Sequence, residues 1–147
     1  MSGYKLLQMT NNAIGAVAVN GLVPLGAITR RIANSAGGGV PFEVTTSGAD
    51  TVNLTAPGYY RITYSLKAVS AAAGIVTASL LVGGNVVESA AITAGDGATI
   101  TLNIPYVVRV FNNCNSMPTN YPMPVQIKIT TTGIASGESN LIVERVA

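Results

Sequence analysis

Six carboxylates, one thiol and no imidazole make up nearly all that this chain of 147 residues offers to acid, base or metal chemistry. Without histidine it lacks the commonest general base and the commonest metal ligand, so Ser-His-Asp and Cys-His arrangements cannot be built. A zinc site needs several Cys or His ligands, and Cys114 stands alone. The carboxylates are Glu43, Asp50, Glu88, Asp96, Glu138 and Glu144, and none forms a D-x-D pair or an EF-hand pattern. Most lie beside turn residues and read as solvated charges, whereas a glycosidase needs two flanking a cleft. Gly37-Gly38-Gly39 runs into Val40-Pro41 and lacks the Lys-Ser/Thr of a phosphate loop. Gly95-Asp96-Gly97 offers one oxygen toward a calcium ion but reads more simply as a hairpin turn. Asn53-Leu54-Thr55 matches a glycosylation acceptor and reads as strand. The expectation is a protein that is no enzyme and holds no metal or cofactor.

What remains is binding. The segment Asn112–Pro124 carries four Asn, three Pro, two Met, Cys114 and Tyr121, which no regular element accommodates. It is expected to connect strands at one end of the molecule, with Asn112, Asn115 and Tyr121 as candidate contact residues, because binding groups often sit on loops of a rigid scaffold. Tyr59 and Tyr121 are candidate exposed anchors for a sugar or a protein partner.

Strands must position these residues. Short β-branched runs recur between Gly, Pro and Asn, and no helical periodicity persists. In residues 58–68, Tyr60, Ile62, Tyr64, Leu66 and Ala68 share one face, while Tyr59, Arg61, Thr63, Ser65 and Lys67 share the other. This alternation predicts a strand with one face on a core and one on water. Tyr60, Ile62, Tyr64 and Leu66 are therefore assigned to the core or to a subunit seam. Further strands are expected at 14–19, 23–32, 40–45, 51–55, 75–82, 86–93, 98–111, 125–132 and 141–146. Turns are expected at Gly83-Gly84-Asn85 and Ala94–Gly97, and a loop at Ser136-Gly137-Glu138. Pro105 within 98–111 predicts an edge or a bulge. Ten short strands without room for crossover helices predict an all-β, antiparallel ten-strand β-sandwich of jelly-roll type.

On this reading residues 13–147 form one domain and residues 1–12 precede its first strand as an N-terminal arm. Tyr4, Leu6, Leu7 and Met9 make that arm a candidate contact with a neighbouring protein, since exposed apolar residues usually have a partner. Charged residues are 10% of the chain, against about 25% in an average soluble domain. Either Thr, Ser and Asn supply the surface polarity, or much of the surface is buried against other subunits. The net charge of +2 is spread over scattered basic residues with Arg30-Arg31 as the one pair, so nucleic-acid binding is not expected. Gly and Pro interrupt the apolar stretch from Ala13 to Ile28, which fits neither a membrane span nor a signal peptide. The chain is thus expected to be made in a cytoplasm without a leader, its cysteine a free thiol.

Residues 51–66, TVNLTAPGYYRITYSL, resemble the signature strand of the tumour necrosis factor and complement globular-head superfamily, with Gly58, Tyr60, Ile62 and Tyr64 on its pattern. ASLLVGGNVVES at 78–89 is similar to the family's next hairpin, and LIVERVA at 141–147 to the last strand of spore-surface collagen-like glycoprotein heads. Within the superfamily, ATITLNIPYVVRVFNNC at 98–114 looks most like short bacteriophage proteins. The resemblance implies a homotrimer on a virion, a capsid decoration or head-fibre module whose N-terminal arm would contact the capsid through Tyr4, Leu6, Leu7 and Met9. Its partners would be itself, a major capsid or other virion protein, and a host-surface glycan. The alternatives are a receptor- or glycan-binding tail-fibre tip and a bacterial spore-surface structural module.

Overall fold

The computed structural model of the chain describes residues 5–32, 42–44, 49–110 and 123–146. Within them run β1 (Lys5–Ile14), β2 (Ala27–Ile32), β3 (Phe42–Val44), β4 (Val52–Leu54), β5 (Gly58–Ser70), β6 (Gly74–Val82), β7 (Asn85–Ala94), β8 (Thr99–Val110), β9 (Met123–Thr130) and β10 (Ile134–Arg145). They form two five-stranded sheets, β2-β1-β10-β5-β8 and β3-β4-β9-β6-β7, with every pairing antiparallel. From β4 onward the chain changes sheet at every connection except the β6–β7 hairpin. That wrapping makes the sandwich a jelly roll, and the fold class is the one the strand pattern predicts.

The core lies between the sheets. On β5, Tyr60, Ile62, Tyr64 and Leu66 are each 0% exposed, and they meet Leu54, Leu80, Ile104, Ile127 and Val143 in one apolar cluster. Burying an aliphatic or aromatic side chain of this size contributes roughly 1.5–3 kcal/mol. The Thr55–Pro57 segment that enters β5 is tied down by β5 and β10. The Tyr60 hydroxyl donates to the Ala56 carbonyl at 2.6 Å, and Arg145 Nη2 donates to the Pro57 carbonyl at 2.6 Å. Phe42 packs edge-on against the Tyr60 ring, 6.0 Å between centroids. The spacing Gly58-x-Tyr60 thus joins a flexible strand entry to a tyrosine that staples the preceding turn.

Several expectations are corrected. The N-terminal arm is a strand: β1 lies between β2 and β10, pairing Lys5 with Arg145 through Thr10 with Asn140. Leu7 and Met9, each 1% exposed, belong to the core, and Leu6 on the outer side of the sheet is 8% exposed, so none of the three is free for a capsid, while Tyr4 lies outside the described residues. Polar Gln8 and Thr10 make the segment look like a tail, yet both donate to Asn140 Oδ1, at 2.8 and 3.2 Å. Residues 15–26, expected to be mostly strand, form a connection that touches the sheets through the bridges Val17–Ile134 and Leu22–Lys128.

Ser136-Gly137-Glu138 is the interior of β10, not a loop. A β-carbon on Gly137 would come within 2.9 Å of the Lys67 carbonyl oxygen, so glycine here serves close approach of β10 to β5. Ala94–Gly97 is a corner between sheets rather than a hairpin, since β7 and β8 belong to different sheets. The corner is closed by Ala98 N–H on the Gly95 carbonyl and Gly97 N–H on the Ser70 carbonyl. The other expected turn is a true two-residue hairpin. Val82 pairs with Asn85, and Gly83 and Gly84 both have positive φ, +64° and +83°, as a type I′ turn requires. Pro105 sits on β8, the edge strand of its sheet, where a missing N–H is tolerated.

Candidate interaction surface

The side of β2-β1-β10-β5-β8 turned away from the core is the face whose side chains can meet a partner, and strand register fixes its layout. On β5 it displays Tyr59, Arg61, Thr63, Ser65 and Lys67, which pair across β8 with Arg109, Val107, Pro105, Asn103 and Thr101. Across β10 the partners of Arg61, Thr63, Ser65 and Lys67 are Glu144, Ile142, Asn140 and Glu138. The face divides into two chemically distinct halves.

The half at the start of β5 is apolar and charged. Tyr59, Val107 and Val146 are 45%, 55% and 44% exposed, with half-buried Ile142 beside them. Val146 N–H donates to the Tyr59 carbonyl at 2.8 Å. The Arg109 guanidinium lies 5.8 Å from the Tyr59 ring centroid, a cation–π contact that holds the ring in place. Arg61 and Glu144 face each other in register. Tyrosine and arginine set among aliphatic groups is the composition found at energetic centres of protein interfaces.

The other half is a lattice of amides and hydroxyls. Asn140 accepts from Gln8 and Thr10, and Ser65 donates to Asn103 at 2.9 Å. A shallow groove of about 240 Å³ runs over it, bordered by Thr10, Asn12, Lys67, Thr101, Glu138 and Asn140. That is below the roughly 300–1,000 Å³ of small-molecule sites, and its polar atoms largely satisfy one another.

Tyr60, Ile62, Tyr64 and Leu66 face the opposite way, into the core. Burial raises the pKa of Tyr60, partly offset by Arg145 and by the bond to Ala56. Burial also raises that of Tyr64, against a lowering by the neighbouring Ser139 hydroxyl. Neither the Tyr64 nor the Ser139 hydroxyl makes a hydrogen bond of normal geometry. Asn112, Asn115 and Tyr121, with Cys114, lie outside the described residues. The sequence marks Tyr59 and Arg61 by their place on the water face of the alternating strand. It leaves Val107, Ile142 and Val146 unmarked, because only register brings them to the same patch. Among the described residues no three His, Cys, Asp or Glu side chains gather as metal ligands, and no helix is long and apolar enough to cross a membrane.

No protein-family model and no curated protein sequence matches the chain. Its fold is that of solved tumour necrosis factor and complement globular-head jelly rolls. The Eiger TNF of S. frugiperda superposes with a TM-score of 0.71 at 9% identity, over 98% of this chain and 92% of that one. The globular domain of zebrafish complement 1qA gives 0.67 at 8% identity, over 99% and 98%. The vertex protein P5 of PRD1 gives 0.65 at 15% identity, over 97% of both chains.

Proposed function

We propose that this chain is a non-enzymatic structural module of a bacteriophage virion, a homotrimer that decorates the capsid or forms part of a head fibre. The observation that carries the reading is the Tyr59, Val107, Val146 and Ile142 patch, interleaved with Arg61, Glu144 and Arg109 on the outer face of one sheet. A small domain with few charges and an apolar patch on a rigid sheet is suited to self-association. The full-length likeness to a PRD1 vertex protein supports a virion setting. Likeness to globular heads of the tumour necrosis factor and complement type supports a threefold arrangement.

The test is the native mass of the purified protein by light scattering over a range of concentrations. A stable mass near three chains is expected, and a Tyr59→Glu, Val107→Glu double variant is expected to be monomeric and folded. A wild-type protein monomeric at every concentration would overturn the self-association reading. Co-purification with particles would then be the separate test of the virion setting.

A further inference from the structure

We infer that the free edge of β2 is a docking strand for an extended acidic segment of a different protein. β2 is the last strand of its sheet: β1 pairs with it on one side, and among the described residues no strand pairs on the other. All six of its residues are exposed. Its outer row of backbone N–H and C=O groups is the template that an added strand completes.

Register with β1 tells which way each side chain points. Ile28 and Arg31 lie opposite Met9 and Leu7, which face the core side of the sheet, while Arg30 and Ile32 lie opposite Gln8 and Leu6 on the outer side. The irregularity that leaves Thr29 unpaired with β1 produces this arrangement. Each side of the edge therefore carries one isoleucine and one arginine. A complementary strand needs an apolar residue opposite Ile32, two consecutive carboxylates opposite Arg31 and Arg30, a spacer, and an apolar residue opposite Ile28. For a strand set antiparallel to β2 the pattern, read from its N-terminus, is apolar-acid-acid-x-apolar.

A second copy of this chain does not fit. Two fully overlapped antiparallel β2 edges set Arg31 opposite Ile28 and Arg30 opposite Thr29, so four arginines crowd one short ladder with no carboxylate on either strand to offset them. None of the six carboxylates in the sequence is adjacent to another, so no segment of the chain supplies the acid pair. The same two arginines that disfavour self-pairing by charge select an acidic partner. The inference does not depend on the trimer. In the virion reading it specifies the chemistry of the segment that another virion protein contributes.

The test is titration of the ¹⁵N-labelled full chain with the synthetic peptide acetyl-Thr-Val-Glu-Glu-Thr-Val-Thr-amide, and with its counterpart bearing Lys in place of both Glu. Binding of the acidic peptide alone is expected, with shifts and slowed amide exchange confined to residues 27–32. An Arg30→Glu, Arg31→Glu variant is expected to weaken it by more than about tenfold, with the spectrum elsewhere unchanged. Absence of binding, equal binding of both peptides, or shifts away from β2 would overturn the inference. Light scattering on the same sample reads self-association separately, so the two proposals fail independently.

Discussion

Tyr60 and Tyr64 sit four residues apart on one strand, both fully buried, yet their hydroxyls have different fates. The Tyr60 hydroxyl reaches the rim and donates to Ala56, so Tyr60→Phe leaves that carbonyl without its partner. We expect a loss of about 1 kcal/mol, read from urea denaturation. The Tyr64 hydroxyl has no such bond, so Tyr64→Phe is expected to change stability at neutral pH by less than about 1 kcal/mol. The two variants also differ at high pH. Burial holds the folded-state pKa of Tyr64 above the unfolded value of 10.0. The unfolded chain therefore loses this proton first. The stabilisation is fully present below pH 10.0 and declines as pH rises toward the folded value, by up to about 1.4 kcal/mol per pH unit. Tyr64→Phe should flatten that decline in urea midpoints taken from neutral pH into the alkaline range, and an unchanged slope would contradict the assignment.

At the scale of elements, β1 and the β6–β7 hairpin make the sharpest claims. Because β1 joins β2 to β10, Met9→Ala opens a cavity in the core and is expected to cost about 2–5 kcal/mol. Deleting residues 1–12 should abolish cooperative unfolding rather than release a folded domain without an arm. A deleted form with the native thermal transition would restore the arm reading. In the hairpin, a β-carbon on Gly83 would lie 2.8 Å from the Met123 sulfur, whereas none on Gly84 meets an atom within 4 Å. Both positions need positive φ, which asparagine adopts with little cost. Gly84→Asn should therefore fall within about 1 kcal/mol of wild type, and Gly83→Val should lose about 1–3 kcal/mol, compared by thermal denaturation.

The behaviour of the whole molecule turns on where its polar groups are placed. The two five-stranded sheets bury their apolar sides against each other. One outer side is then left as half amide lattice and half tyrosine, valine and arginine. The lattice hydrogen-bonds within itself and favours water. The apolar half gains most from a neighbour, since burial contributes about 25 cal/mol per Å² removed from water. Self-association through it should persist or strengthen as salt rises, because salt weakens exposed ion pairs while leaving apolar burial intact. Docking of an acidic strand on Arg30 and Arg31 should weaken over the same salt series. Measuring native mass and peptide affinity together would separate the two surfaces, and parallel behaviour would show them to be one.

Much of this protein is legible in local pattern. The alternation of residues 58–68 specifies the inward face of β5 because side chains alternate across any strand, whatever its partner. Paired glycines at 83–84 specify a tight hairpin because few other residues take positive φ at both positions. The absence of histidine rules out Ser-His-Asp and Cys-His arrangements without any structure. Pairing, in contrast, is non-local. Lys5–Ile14 has the alternation of a strand but polar neighbours, and its place between β2 and β10 depends on residues more than a hundred positions away. Gly95–Gly97 has the composition of a hairpin turn, and only the closing of two sheets makes it a corner. Gly137 has the composition of a loop, and only the approach of β5 explains it. The outer patch is of the same kind: Tyr59, Val107, Ile142 and Val146 come from three distant stretches. Sequence alone determined which residues face inward; tertiary structure decided which outward residues are neighbours, because strand register is set by contacts between segments that no local period encodes.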